Sequence, residues 1–362
     1  MPSLSKHKTY PYLFLLLAAC NISNASAFEF GIGTHIANYK ESSDFYINIV
    51  KSYGFNSVRD ELYWNDLEKQ DGVFSIPENR TKTDHYFKKL QSNNVSALLV
   101  LDYGNNLHTK GGFPANDQQI EKFASYAAWV ANRYKGKVRY YEVWNEWYLG
   151  TGISSWFLKK AKPDDTTYFK LIKATSEAIK RIDPDAKVIA GSFNPLKTQE
   201  VAWFDHIIDL GVLQYIDGIS VHAYSYGNKN TELRTPEGNL AALDRYDKHI
   251  KSKTGKDIDL YITEIGYPTN KKSGGVDPIV AAQYMIKYTL LAKERDYIKG
   301  VWWYTLMNSA DNSSNRESNF GILMHNESEK ASAKCLKLNE LPIAAALTNK
   351  FSKSSPISCD GQ

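Results

Sequence analysis

The stretch YYEVWNEW, residues 140–147, contains the pattern that decides the fold. It begins as an apolar, aromatic-rich run, which predicts a buried β-strand, and it continues into Asn145 and Glu146. An amide and a carboxylate are costly to bury without partners, so this pair is expected where the strand ends and a loop begins. A second acid, Glu264, ends a later run of the same kind, YITE at residues 261–264. The two glutamates therefore mark the same end of two strands.

Apolar runs alternate with amphipathic stretches from Phe28 onward, at the spacing of repeated βα units. Eight strands are predicted, beginning at Phe30, Ser57, Ala97, Tyr140, Lys187, Ile216, Leu260 and Val301. Eight strands with intervening helices and no linker predict an α/β fold, a closed (β/α)8 TIM barrel, whose active sites lie at the C-terminal strand ends. The chemically capable residues cluster at those ends: His35, Arg59, Asp102, Glu146, His222, Glu264 and Trp303.

Composition agrees with one large folded unit and excludes some functions. The chain has 362 residues, of which 43% are hydrophobic, enough for the core of one barrel. Its 24 Tyr and 8 Trp could stack on sugar rings, but such residues also fill ordinary cores. The formal charge is +4 and no basic run occurs, so nucleic acid is not indicated as a partner.

The first 27 residues resemble an export signal. Lys6 and Lys8 form a basic start, an apolar run covers residues 12–19, and Ala-Ser-Ala at 25–27 is a small-x-small cleavage site. An alternative is the lipoprotein-like box Leu-Ala-Ala-Cys at 17–20, which would leave Cys20 lipidated at the new N-terminus. Cleavage after Ala27 is preferred, because the first strand begins almost at once. Either way the product is exported, to the periplasm or outside the cell. No other segment is apolar and long enough to span a membrane.

The expected organisation is therefore a signal over 1–27, a catalytic barrel over 28–330 and a tail over 331–362 that packs on or extends from the barrel. Cys335 and Cys359 both lie in that tail. An exported protein can pair them, and a structural disulfide is the expectation for these two cysteines.

Several local patterns at the strand ends carry a resemblance to a known group of enzymes. In chain order they are VRDE at 58–61 with Trp64, LDYGN at 101–105, WNE at 144–146, VHAY at 221–224, TEIG at 263–266 and WW at 302–303. Together the sequence resembles the clan A retaining glycoside hydrolases, and within them most closely family 39, the β-xylosidase and bacterial exopolysaccharide endoglycosidase relatives. The resemblance covers residues 30–323 and is more specific for the clan than for the family.

This resemblance implies a role for each glutamate. Glu146 would be the general acid/base, with a pKa raised by apolar walls such as Trp144 and Trp147. Glu264 would be the nucleophile, kept ionised by Arg59. In retaining enzymes the two carboxyl groups are about 5–5.5 Å apart.

The resemblance also implies residues that bind the sugar. Asn145 would hydrogen-bond the 2-hydroxyl, Tyr224 would orient Glu264, His222 would line the same subsite and Trp303 would stack under the reacting sugar. Further expected sugar contacts are His35, Asn105 and Trp64.

Structural roles compete with some of these assignments. His222 and Trp303 are also typical packing residues, and Arg59 could pair with Asp60 or Glu61. Glu142 is expected to be a structural partner of a barrel cation, Glu61 an ion-pair partner, and Asp102 to fix a loop. No metal-ligand spacing, nucleophile elbow or dinucleotide loop is found, so no cofactor and no metal are expected.

The functional expectation is an exported, monomeric retaining glycosidase that acts on an oligo- or polysaccharide. Endo action is the hypothesis, because Trp64, Trp147 and Trp156 could bind further sugars. The alternatives are an exo-acting β-xylosidase-like enzyme, a barrel that binds carbohydrate without turnover, and a glycosidase that prefers transfer to another sugar. The sequence does not identify the sugar.

Overall fold

The structure is a computed structural model that describes residues 28–160, 164–272 and 274–339, together with Ile343 and Cys359. Eight parallel strands close into one barrel in the order β1-β8-β7-β6-β5-β4-β3-β2. Their bounds are β1 Glu29–Gly33, β2 Ser57–Glu61, β3 Ser96–Leu101, β4 Tyr140–Val143, β5 Lys187–Phe193, β6 Gly218–His222, β7 Leu260–Ile265 and β8 Ile298–Trp303. The predicted (β/α)8 barrel is confirmed.

Helices connect successive strands and surround the barrel. They are α1 Ser43–Ser52, α2 Trp64–Leu67, α3 Thr81–Leu90, α4 Asp117–Arg133, α5 Ser155–Lys160, α6 Asp165–Ile182, α7 Thr198–Asp209, α8 Pro236–Thr254, α9 Pro278–Lys293 and α10 Ala331–Leu338. Side chains at the N-termini of several helices accept the first unpaired N–H groups, as Ser42 does for α1 and Asp277 for α9. A short antiparallel hairpin, Glu68–Gln70 with Val73–Phe74, follows α2.

A small apolar cluster fills the interior of the barrel. Its members are Leu98, Val100, Tyr140, Ile189, Tyr261 and Trp302. The Trp302 indole donates to Ser57 Oγ across the interior at 3.0 Å. A Cβ atom at position 31 would lie 2.1 Å from this indole, so Gly31 provides the space for it. The interior is therefore a packed core below the mouth where the predicted site residues lie.

Strand alternation sends neighbouring side chains to different layers. On β4, Tyr140 belongs to the interior cluster, whereas Tyr141 and Val143 belong to the larger core between the strands and the helices. Glu142 points inward again and binds Arg59 of β2. The same alternation on β8 sends Trp302 inward and Trp303 outward, where its ring packs on Tyr288 of α9.

The end of the described chain is fastened to the barrel. Helix α10 packs against α9, and Cys335 in α10 forms a disulfide with Cys359, as predicted. Glu329, just before α10, accepts from Tyr53 at the end of α1. The proposed signal over 1–27, with Cys20, and most of the tail lie outside the described residues. None of the described helices is long and apolar enough to cross a membrane.

Candidate active site

A cavity of about 500 Å³ opens at the C-terminal end of the barrel. Residues from all eight strand ends or the loops that follow them line it. They are His35, Arg59, Glu61, Tyr63, Tyr103, Asn145, Glu146, Leu149, Thr151, Asn194, Lys197, Glu200, His222, Tyr224, Tyr226, Glu264, Tyr304, Arg316, Glu317 and Phe320. The cavity brings together seven of the ten sequence-predicted site residues.

The two glutamates face each other across this cavity. Glu264 lies near the end of β7, and Glu146 follows β4 in a left-handed conformation with a φ of 50°. Such a φ is uncommon for a residue other than glycine, and it directs the side chain away from the path of the strand. One oxygen of each carboxylate, with a nitrogen of His222, falls within 4.8 Å of the others. The expected pairing of the two acids is therefore present in the geometry.

Arg59 lies at the centre of the site and contacts three of its members. Its guanidinium donates to Glu264 Oε1 at 2.6 Å, to Glu142 Oε2 at 2.8 Å and to Asn145 Oδ1 at 2.8 Å. The expected neighbour of Glu264 is thus found, and Glu142 has the structural role that the sequence predicted. Burial alone would raise the pKa of Glu142, but the charges of Arg59 and His222 and hydrogen bonds with Arg59 and Ser220 together lower that pKa.

His222, at the end of β6, lies between the two glutamates. Its Nδ1 is 3.0 Å from Glu146 Oε1 and 3.6 Å from Glu264 Oε2. Burial would lower the pKa of His222, but the charges of both glutamates and a hydrogen bond with Glu146 raise it. Burial would likewise raise the pKa of Glu146, yet His222 and a hydrogen bond from Thr151 lower it to about 2. The two opposite shifts favour a protonated imidazole beside an ionised Glu146.

The expectation of a raised pKa for Glu146 is therefore wrong. Its proposed cause is also absent, because Trp144 and Trp147 are fully buried away from the cavity. Their rings pack against Phe113 and against each other in the layer between strands and helices. The residue that most lowers the pKa of Glu146 is His222. The sequence placed His222 in the sugar subsite and predicted no contact between it and Glu146.

Two further predicted residues hold their expected positions. The Tyr224 hydroxyl donates to Glu264 Oε2 at 2.9 Å, as predicted for an orienting residue. The Asn145 amide is fixed from both sides, since Oδ1 accepts from Arg59 and Nδ2 donates to the Tyr103 hydroxyl at 2.9 Å. The second N–H of Nδ2 is the donor that remains for a sugar hydroxyl.

Three predicted sugar contacts do not line the cavity. Trp64 is fully buried, and its indole donates to Glu68 Oε2 at 2.6 Å. Asn105 is buried as well and donates to the main-chain carbonyls of Trp64 and Glu68, so it holds the loop. Trp303 faces the helices, where its indole donates to Thr289 Oγ1 at 2.9 Å. These three side chains are structural, because the strand direction and the loop packing turn them away from the mouth.

Tyr304, the residue after Trp303, lies at the cavity where Trp303 was expected. Tyr304 lines the cavity, in an edge-to-face contact with His35. His35 also lies 3.4 Å from Glu61, whose carboxylate accepts from the Tyr63 hydroxyl. The sequence identified His35 but treated Glu61 as a simple ion-pair partner. Its position at the end of β2, where barrel enzymes carry site residues, was the available signal.

Asp102 lies beneath the cavity and not in its lining. It is fully buried, and burial raises its pKa. Its main-chain carbonyl accepts from the Trp64 N–H at 2.8 Å, which ties the loop after β3 to α2. This contact is made by the main chain, so the expected role of the Asp102 side chain in fixing a loop stays a prediction.

Two groups among the described residues have the donor types of a metal site. One is Glu146, His222 and Glu264, which the hydrogen bonds above already account for. The other is Glu68, Asp71 and His108, outside the cavity. The Glu68 oxygens accept from the Trp64 indole and the Gly72 N–H, and Asp71 pairs with Lys122. These carboxylates are thus engaged within the protein.

Comparisons with known proteins agree with this geometry. Among solved structures, a family 39 glycoside hydrolase from Bacteroides cellulosilyticus WH2 is similar, with a TM-score of 0.71 and 22% identity; the match covers 90% of this chain and 65% of that one. Xylanase 10B from Thermotoga maritima has a TM-score of 0.60 and 14% identity over 90% of this chain and 96% of that one. The β-glycosidase BGL167 has a TM-score of 0.64 and 14% identity over 91% and 99%.

At these low identities, the structural similarity establishes a shared fold and nothing more. This chain also spans less than two thirds of the length of the family 39 protein. No curated protein sequence matches the chain. The model of the family described as Cellulase (glycosyl hydrolase family 5) matches residues 20–309, which is most of the chain. The expected clan A membership is confirmed, since family 5 belongs to that clan, and the chain is a member of glycosyl hydrolase family 5.

Proposed function

We propose that this protein hydrolyses O-glycosidic bonds with retention of configuration, with Glu264 as nucleophile and Glu146 as general acid/base. The observation that carries the proposal is the approach of the two carboxylates to within 4.8 Å across the cavity. Retaining glycosidases hold their carboxyl groups about 5–5.5 Å apart, whereas inverting enzymes need roughly 6.5–9.5 Å to admit a water molecule. The spacing leaves room for direct attack by Glu264 on the anomeric carbon.

The surroundings of each glutamate suit its proposed role. Arg59 and Tyr224 donate to the two oxygens of Glu264, which holds an ionised carboxylate in one orientation. Glu146 needs a proton when the leaving group departs, and His222 Nδ1 holds one only 3.0 Å away. We infer that His222 delivers this proton to Glu146 when the glycosidic oxygen arrives, and that Glu146 later takes a proton from the attacking water.

Substrate contacts follow from the same geometry. Asn145, fixed by Arg59 and Tyr103, offers its remaining N–H to the sugar 2-hydroxyl, a contact that strengthens in the transition state. Tyr304 presents the aromatic face that the sequence assigned to Trp303. His35 and Glu61 provide polar partners for hydroxyl groups on the same side of the cavity.

We further propose a polysaccharide substrate, cut internally by an exported, monomeric enzyme. Of the three tryptophans that suggested endo action, Trp64 and Trp147 are buried, and Trp156 on α5 is 56% exposed. The support that remains is this exposed ring in the loop after β4, with a second cavity that adjoins the first. Analysis of the products separates the two modes: endo action gives a ladder of oligosaccharides, whereas release of monosaccharide alone would indicate an exo-acting enzyme.

Covalent labelling tests the proposed mechanism. The mature protein is incubated with a panel of 2,4-dinitrophenyl 2-deoxy-2-fluoro glycosides, and intact-mass and peptide-mapping mass spectrometry locate any adduct. We expect one sugar on Glu264. Glu264→Gln should take no label, whereas Glu146→Gln should still be labelled at Glu264, because this leaving group departs without protonation. An adduct on another carboxylate would refute the assignment, and binding of glycans without any label or hydrolysis would favour a non-catalytic barrel.

A further inference from the structure

The two glutamates divide the barrel mouth into two sides. Going round the barrel from β4, which precedes Glu146, to β7, which carries Glu264, one side has β5 and β6 and the other has β8, β1, β2 and β3. The amide of Asn145 is turned toward the second side by its bond to Tyr103, which follows β3. Under the proposed function this amide contacts the reacting sugar. The loops after β5 and β6 therefore face the aglycone, the part of the substrate that leaves past Glu146.

A second cavity, of about 280 Å³, lies at the loops after β5 and β6, and Arg316 reaches it from the loop after β8. It shares five lining residues with the main cavity, so the two are continuous: Asn194, Lys197, Tyr224, Tyr226 and Arg316. Among the described residues that line it, Lys197 and Arg316 are the charged ones. Apart from Leu196 and Gly227, the remaining lining is polar or aromatic. The ring of Tyr226 lies beneath the Arg316 guanidinium at 5.4 Å.

The acidic partners of these two cations lie outside the second cavity. Lys197 pairs with Glu200 at 2.7 Å, but Glu200 is 3% exposed and also accepts from the Asn194 N–H, whereas Lys197 is 56% exposed. Arg316 pairs with its neighbour Glu317 at 2.6 Å, and both are at least half exposed. The Arg316–Glu317 pair is exposed on both sides and is therefore weak, and the Lys197 ammonium is itself exposed, so a ligand that brings its own anion can contact both cations.

The other side of the mouth carries groups of both signs. Glu61 and Glu264 line it, but His35 lies 3.4 Å from Glu61 and Arg59 donates to Glu264 at 2.6 Å. Each of these two acids has a basic side chain beside it, whereas the described lining of the second cavity has two cations and no acid.

We propose that the second cavity is an aglycone subsite that binds an anionic sugar residue, one that carries a carboxylate or a sulfate. The substrate class is accordingly an acidic polysaccharide that carries an anionic sugar on the leaving side of the bond that is cut. This inference rests on the proposed function for the direction of the chain. Arg316 supplies a planar donor pair matched to a carboxylate or sulfate, and Lys197 adds a point charge.

Calorimetric titration with matched ligand pairs tests this subsite. The protein carries Glu146→Gln to block turnover. One pair is tetragalacturonate and its neutral methyl ester, and the other is sulfated cellotetraose and cellotetraose. We expect the anionic member of at least one pair to bind about tenfold more tightly or better, with the gain largely lost when NaCl is raised from about 50 to about 500 mM. The responding pair identifies the anion as carboxylate or sulfate.

Substitutions locate the effect. Lys197→Met and Arg316→Met should each reduce the preference for the anionic ligand, and together they should abolish it. Lys170→Met is the matched control, because this exposed lysine of α6 also pairs with an acid, Asp117, yet lines neither cavity. Equal binding within both pairs, or a preference that survives the double substitution, would overturn the proposal. Labelling of Glu264 is independent of this titration. If the titration shows no preference for anions, the proposed mechanism still stands. If labelling fails but the preference is found, the cleft still binds anions.

Discussion

Replacement of His222 by Asn is the sharpest test of how protons are arranged in the site. The Asn side chain keeps a hydrogen-bond donor near the position of Nδ1, but it removes the positive charge and the mobile proton. In the wild-type protein the pKa of His222 is raised above the ordinary 6.5, so His222 is protonated at pH values below that raised pKa. The wild-type kcat/KM should therefore stay level up to that raised pKa and fall only above it.

The size of the change follows from the pKa directions. His222 is what lowers the pKa of Glu146 to about 2 despite burial. Without the imidazolium, that pKa rises toward the ordinary value of 4.5, or above it because the carboxyl remains buried. Glu146 must then hold its own proton, and the active form declines about tenfold for each pH unit above its pKa. For a pKa of 4.5, the variant should lose roughly 50-fold in kcat/KM between pH 4.5 and 6.5, while the wild type stays level.

The assay is a pH–rate profile with two aryl glycosides of the sugar identified by labelling. With a poor leaving group such as phenol, the alkaline limb of the variant should lie well below that of the wild type. With 2,4-dinitrophenol, which departs without protonation, this difference should disappear. His249→Asn is the control, since its imidazole also pairs with a carboxylate, Asp205 at 2.7 Å, but at the protein surface. Coincident alkaline limbs for His222→Asn and the wild type with the poor leaving group would refute the proton arrangement.

Three further variants distinguish residues that act in the active site from residues that stabilise the fold. Arg59→Met leaves two carboxylates without their shared cation and should cost about 3–5 kcal/mol of unfolding free energy in urea, with loss of labelling at Glu264. Trp64→Ala should cost a similar 3–5 kcal/mol because the ring is fully buried, but the KM of the folded enzyme should change little; a large rise in KM would restore Trp64 as a sugar contact. Replacement of Cys335 and Cys359 by Ala should lower unfolding free energy by about 2–4 kcal/mol and leave kcat/KM unchanged, and equal unfolding midpoints would contradict this.

The fold and the reacting pair were predictable because each is encoded locally. Apolar runs that end in polar residues define barrel strands, and Asn145, Glu146 and Glu264 follow directly from that pattern. The predicted neighbour of Glu264, Arg59, also follows, because the ends of parallel strands meet at one edge. What the pattern cannot give is the direction of each aromatic ring.

The Trp302-Trp303-Tyr304 run illustrates this limit. Alternation fixes that neighbours point to opposite faces, but the sequence does not say which tryptophan enters the barrel. Gly31 opposite Trp302 was the available signal, since only a residue without a side chain leaves space for that indole. With Trp302 inside, Trp303 must face the helices. Tyr304 is then the residue of this run that lines the cavity, and we propose it as the one that stacks on the sugar.

The pKa of Glu146 could not be predicted for a different reason, since it depends on charges that come from four separate strands. Glu142, Glu146 and Glu264 bring three negative charges, and Arg59 with protonated His222 brings two positive ones. The net charge of −1 favours the oxocarbenium-like transition state, which develops positive charge between the two glutamates. Under the proposed mechanism Glu264 loses its negative charge when it binds the sugar. It then no longer stabilises the positive charge of His222, so the proton on His222 is held less firmly. The same loss of charge lowers the pKa of Glu146 further. This change favours Glu146 as the base that activates water, which is the role that the second half of the reaction requires.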